Sequence, residues 1–95
     1  MRFNTKLGYV VEFDKRAEKD LKRLSTGIAS SIVEKCAILQ ENPLQGPHIK
    51  CLKLNLYRLE ILRVWRVAFL VEAGKVIIIL VGHRKDFYRR LTQRL

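Results

Sequence analysis

Tyr57-Arg58-Leu59-Glu60-Ile61-Leu62, Trp65-Arg66-Val67-Ala68-Phe69-Leu70 and Val76-Ile77-Ile78-Ile79-Leu80-Val81-Gly82 follow one another with only short breaks. The first two alternate apolar and polar residues, as strands buried on one face do. The third is apolar throughout and rich in β-branched residues, which suits a central strand covered on both faces. The connection Glu72-Ala73-Gly74-Lys75 is too short for a crossover, so the three read as an antiparallel meander. Alternation sends Arg58 and Glu60 to one face and Tyr57, Leu59 and Ile61 to the other. Arg66 opposes Trp65, Val67 and Phe69 in the same way. Arg58, Glu60 and Arg66 are therefore expected on the face away from the covering helices. His83, Arg84 and Tyr88 follow the last strand and are placed to close one side of the same concavity.

Upstream, Tyr9 to Phe13 reads as a first strand. Asp14 is a helix cap, its carboxylate available to the free N–H groups of the first turn. The helix runs from Lys15 to about Leu24, with Ala17, Leu21 and Leu24 as its apolar stripe. Lys15, Arg16, Lys19, Lys22 and Arg23 fill the rest, either as a solvated face or as a surface for nucleic acid. Ser25-Thr26-Gly27 breaks the helix, and Thr26 is the expected cap of a second one. Ile28, Ile32, Cys36 and Leu39 recur at helical spacing up to about Gln40. There Asn42-Pro43 ends the helix, because proline disfavours it in the preceding residue. Pro43 to His48 is a loop, Met1 to Gly8 is a polar leader expected to add little, and Asp86 begins a final helix with Phe87 and Leu91 on one side. The expected order is β-α-α-β-β-β-α in a single α+β domain over residues 1–95, two N-terminal helices packed on an antiparallel sheet.

The chain has 95 residues and a formal charge of +10. Basic side chains gain affinity by releasing counterions from phosphates, so the balance points to nucleic acid or an acidic protein as partner. No apolar run approaches a membrane span, and the N-terminus has no apolar core of a signal peptide. A cytoplasmic protein is expected. Cys36 and Cys51 fit no disulfide framework and, with His48 and His83, match no zinc spacing; both read as small buried thiols. No cofactor or metal is called for.

Arginines beside a carboxylate, a histidine and a tyrosine suit metal-free RNA cleavage, in which a 2′-hydroxyl attacks the adjacent phosphate. Arginine would stabilise the phosphorane. Tyr88, His83 or Glu60 would trade protons. Each has a plainer reading: Glu60 as an ion-pair partner of Arg58 or Arg66, Tyr88 as packing for the last helix, His83 as a strand-end residue.

Phe13 before a Lys/Arg-rich helix, a second helix, Asn42-Pro43, Leu52-Lys53-Leu54, the pair Tyr57-Arg58-Leu59 and Trp65-Arg66-Val67-Ala68-Phe69, and the terminal Gly82-His83-Arg84-Lys85-Asp86-Phe87-Tyr88 together resemble the RelE/ParE toxin superfamily. The resemblance covers nearly all of the chain from Tyr9. It implies the RelE-like fold and the toxin of a type II toxin–antitoxin pair. RelE-type members cut mRNA in the ribosomal A site without metal and so inhibit translation. On that pattern Arg58, Arg66, Arg84 and Tyr88 match the family's working residues, with Glu60 and His83 beside them. Lys50, Lys53, Arg63, Lys85, Arg89 and Arg90 are the expected nucleic-acid contacts. Ribosome, mRNA and a cognate antitoxin are the implied partners. The ParE branch, which poisons gyrase without cutting RNA, is the alternative, as is an inactive RNA-binding relative. Two departures stand out. Glu60 sits where RelE-type enzymes tend to have a basic residue. The turn Leu62-Arg63-Val64 lacks the usual glycine, so a wider or irregular connection is expected there, one able to shift Arg66.

Overall fold

The structure, a computed structural model, describes residues 2–3 and 8–95. Its strands are β1 (Arg2–Phe3), β2 (Val10–Phe13), β3 (Ile49–Lys53), β4 (Leu56–Ile61), β5 (Trp65–Glu72) and β6 (Lys75–His83). Its helices are α1 (Lys15–Lys22), α2 (Thr26–Cys36, continued by a 3-10 turn over Ala37–Gln40) and α3 (Phe87–Arg94). One sheet holds all six strands in the order β1-β2-β6-β5-β4-β3. β3 to β6 form the antiparallel meander, while β2 runs parallel to β6 with Val10 opposite Lys75 and Phe13 opposite Ile78.

The α+β class and the helix pair over one face agree with the sequence reading, and two strands are added to it. Arg2 and Phe3, expected to contribute little, pair with Glu12 and Val11; residues 1 and 4–7 of the leader lie outside the described residues. Ile49–Lys53 is a full strand on the far edge, where the sequence was read only as an approach to the meander.

Local chemistry accounts for the elements. Asp14 Oδ1 accepts from the Ala17 N–H at 2.9 Å, the cap expected for α1. The cap of α2 is Ser25, whose Oγ accepts from the Ile28 N–H. Thr26, expected in that role, is the first helical residue instead. Between β5 and β6, Ala73 and Gly74 both take positive φ (50° and 76°), the pattern of a two-residue hairpin turn. Between β4 and β5 the connection is irregular, as expected. Leu62 (φ 53°) and Arg63 (φ 67°) carry the left-handed backbone, and the Val64 N–H donates to the Leu62 carbonyl at 2.8 Å. Val64, the β-branched residue, is spared. Arg66 is not displaced, because it pairs directly with Glu60.

β6 serves two cores. Val76, Ile78 and Val81 join Val11, Phe13, Leu59, Val67 and Phe69 under Ala17 and Leu21 of α1 and Ile32 and Cys36 of α2. Ile79 and Leu80 join Leu56, Ala68, Phe87 and Leu91 on the opposite face, under α3. A bulge makes this possible. Ala68 pairs with Leu80 but Phe69 pairs with Ile78, leaving Ile79 without an opposite number. The extra residue breaks strict alternation and turns two successive side chains to the α3 side. The unbroken apolar run in the sequence is the trace of that arrangement. Cys36 lies in the first core, and burial pushes its thiol pKa up. Cys51 is exposed on β3, contrary to the expectation of two buried thiols, because β3 is the edge strand and no strand among the described residues lies beyond it.

Candidate active site

The β4–β5 register sets Arg58 opposite Ala68 and Glu60 opposite Arg66; Arg66 in turn faces Gly82 on β6. On β3, Lys50 stands opposite Arg58 and Lys53 opposite Leu56. Directly opposed residues share a face. Lys50, Lys53, Arg58, Glu60 and Arg66 therefore lie together on the α3 side, away from α1 and α2. Gly82 has no side chain here, and the Arg90 guanidinium occupies the place beside it, with Nη1 3.0 Å from where a Cβ would stand.

Both arginines converge on one oxygen. Arg58 Nη1 is 3.7 Å and Arg66 Nη2 3.5 Å from Glu60 Oε2. The side chains are 17%, 20% and 32% exposed for Arg58, Arg66 and Glu60, so the trio is half-enclosed and carries one net positive charge. The Nε–H groups of Arg58 and Arg66 are buried and meet no acceptor among the described residues. A buried donor without a partner costs about 1–3 kcal/mol. Two of them side by side on one face suit an anion with several oxygens, and guanidinium geometry suits phosphate in particular. Tyr88, on the first turn of α3, sets its ring over Arg66, with Cζ 5.5 Å from the ring centre. Phe87, edge-on to Tyr88 at 5.1 Å, anchors that turn in the second core.

The remaining expected residues divide. His83 stands opposite Trp65, whose ring packs on the first core, so it lies on the other face from Arg66. Its ring meets Trp65 edge-on at 5.4 Å, and its Nδ1 accepts from the Lys85 N–H at 3.2 Å. That bond leaves the neutral ring's proton on Nε2. The structure does not bring His83 to the face of Arg58, Glu60 and Arg66. Arg84 and Lys85 are exposed, and the Arg84 N–H holds the Val64 carbonyl at 2.7 Å, tying the β4–β5 turn to the end of β6. Arg63 is exposed on that turn. Arg89 pairs with Asp86 at 3.2 Å. Arg90, expected to meet nucleic acid, turns instead to buried Asp20 at 2.7 Å. Among the described residues no group of three or more His, Cys, Asp or Glu is placed to hold a metal ion, and no helix is long and apolar enough to cross a membrane.

The family model of the ParE toxin of type II toxin–antitoxin systems, parDE, matches residues 11–88. The chain belongs to this toxin family. Solved structures of the wider RelE/ParE superfamily share its fold. E. coli RelE, as a free mutant, superposes with a TM-score of 0.75 at 20% identity, over 94% of this chain and 99% of that one. The Mycobacterium tuberculosis RelBE2 toxin–antitoxin complex gives 0.71 at 24% identity, over 88% and 100%. The Pseudomonas aeruginosa ParDE system gives 0.68 at 16% identity, over 83% and 98%. No curated protein sequence matches the chain.

Reading the sequence of this ParE-family toxin missed Asp20 and Arg94. Asp20 is 4% exposed and is the buried charged residue among those described. It accepts from Arg90 Nη2 (2.7 Å), Arg94 Nη1 (2.6 Å) and the Val81 N–H (2.9 Å). The available signal was an acid set between Ala17 and Leu21, beside the α1 stripe, with two arginines one helical turn apart in α3.

Proposed function

We propose that this toxin is a ribosome-dependent endoribonuclease that cuts mRNA in the A site. The observation that carries the reading is the pair of Nε–H donors on Arg58 and Arg66 that meet no acceptor among the described residues, on either side of Glu60, with the exposed ring of Tyr88 against Arg66. In the proposed reaction Glu60 takes the proton of a 2′-hydroxyl, and O2′ bonds to the adjacent phosphorus. The bond from phosphorus to O5′ breaks, and O5′ takes a proton from the Tyr88 hydroxyl. The products are a 2′,3′-cyclic phosphate and a 5′-hydroxyl. Arg58 and Arg66 donate to the phosphorane oxygens, whose charge grows in the transition state. Lys50, Lys53, Arg63, Arg84, Lys85 and Arg89 hold flanking phosphates. His83 has no part in this scheme, because it faces the other way.

A cognate antitoxin belongs to the proposal, since solved relatives include RelB–RelE complexes. An acidic segment that folds on binding would neutralise the basic face by covering Arg58, Arg66 or Arg84, or by displacing α3. The ribosome as target implies the cytoplasm as site of action.

Primer extension on an mRNA in a reconstituted translation system tests the reading. Wild-type protein is expected to place ribosome-dependent cuts in the A-site codon, and Arg66→Ala and Tyr88→Phe to abolish them. Intact mRNA at protein levels that arrest growth would reject it. The second reading, gyrase inhibition, is favoured by the ParE family match and by the carboxylate that offsets one of the two arginines. A supercoiling assay is its test.

A further inference from the structure

β2 stops at Phe13, opposite Ile78, so among the described residues the β2 side of β6 has no strand neighbour from Ile79 onward. Backbone groups there need other partners, since buried ones are almost always satisfied. Asp20 from α1 accepts the Val81 N–H, Arg90 Nη1 donates to the Val81 carbonyl at 3.3 Å, and Arg94 Nη1 donates to the Ile79 carbonyl at 2.9 Å. The same carboxylate takes both guanidinium groups. Arg16 Nη1 adds a bond to the Arg94 carbonyl at 3.0 Å. A helix on one face of the sheet is thus fastened, around an open strand edge, to a helix on the other.

α3 has eight residues, too few to hold a helix or its orientation unaided. Phe87 and Leu91 are its buried contacts with the core. Two apolar residues one turn apart fix where the helix lies but leave it free to roll about its axis. Arg90 and Arg94 project on one flank of that apolar stripe and Tyr88 on the other, by helical spacing. What stops the roll on the arginine flank decides where the Tyr88 ring stands over Arg66.

We infer that Asp20 is the positioning residue of Tyr88: by clamping Arg90 and Arg94 it sets the roll of α3 and so the place of the tyrosine above Arg66. The inference rests on the proposed nuclease reading for its kinetic consequence, but not for its geometric one.

The test uses full-length protein labelled with 3-fluorotyrosine, whose three fluorine resonances belong to Tyr9, Tyr57 and Tyr88. Asp20→Asn is expected to move or broaden the Tyr88 resonance and leave the other two in place. In single-turnover cleavage on saturating ribosomes the rate should fall by up to about a hundredfold, as for a misplaced catalytic group. The toxin concentration giving half-maximal rate should not change. If Asp20→Asn does not fold, Arg94→Lys carries the test with the same expected results, as the lysine ammonium ends one bond short of Nη1, the atom that donates to both Asp20 and the Ile79 carbonyl, and brings no second nitrogen to Asp20 Oδ1. A folded variant with an unmoved Tyr88 resonance overturns the inference, as does a loss confined to ribosome affinity. Wild-type protein that cuts no mRNA rejects the nuclease reading alone, and the fluorine spectrum still decides the role of Asp20.

Discussion

The guanidinium carbon of Arg66 lies 5.5 Å from the centre of the Tyr88 ring, joining the middle of the sheet to the last helix. Tyr88 is 45% exposed, so the contact is partly hydrated and should contribute about 0.5–1 kcal/mol. A double-mutant cycle of Arg66→Gln and Tyr88→Leu, read by urea unfolding, should return a coupling of that size. Additive losses would mean that ring and cation are merely neighbours.

Glu60 holds two arginines that would otherwise face an anion unhindered. Glu60→Gln should strengthen binding to single-stranded RNA and steepen its salt dependence, because one more positive charge is free to displace counterions. Stability should change by less than about 1 kcal/mol, as for partly exposed ion pairs. If Glu60 is the base, cleavage falls while RNA binding rises. Cleavage that rises together with binding would remove Glu60 from the mechanism.

Leu62 and Arg63 both adopt left-handed backbone, which costs an L-residue about 1–2 kcal/mol. Leu62→Gly should relieve that strain, less the entropy that glycine loses on folding, and so stabilise the protein by roughly 0.5–1 kcal/mol. Val64→Gly should only destabilise. Thermal melts of the two variants give the comparison, and a loss of stability in both would show that the turn is unstrained.

The two thiols should separate cleanly. Cys51 is exposed and should alkylate at once in native protein, whereas Cys36 should react only after unfolding. Burial raises the Cys36 pKa above its unfolded value. Its contribution is therefore intact at low pH and drains away as pH rises past the unfolded pKa of about 8.5, where only the unfolded thiol ionises. At pH 10 the loss is about 2 kcal/mol, and Cys36→Ala should flatten that part of the alkaline stability curve.

The meander, the helix pair and the common face of Arg58, Glu60 and Arg66 were legible because each rests on periodicity, which the sheet and helix geometries impose directly. β3 was harder to see: its exposed lysines and cysteine follow an edge, and an edge strand need not alternate. The parity of His83 was not legible. It depends on the bulge at Ile79, and nothing in a run of isoleucine and leucine marks where an extra residue sits. Arg90 was misread for a related reason. A basic residue in a basic helix resembles its neighbours until the buried acid that claims it is known, and Asp20 lies seventy positions away in the chain.

That bulge also says which kind of change β6 tolerates. Within either core one aliphatic residue can replace another at modest cost if volume is kept. Losing or gaining a single residue is a different matter. Removing Ile79 would restore plain alternation and keep Leu80 opposite Ala68 and Gly82 opposite Arg66, at the cost of one side chain under α3, whereas adding a residue there would carry Gly82 out of the row it forms with Glu60 and Arg66. Spelling in this strand is loose, but its reading frame has slack in one direction only, and drift in this toxin should proceed by exchange of letters or loss of the extra one and almost never by a gain.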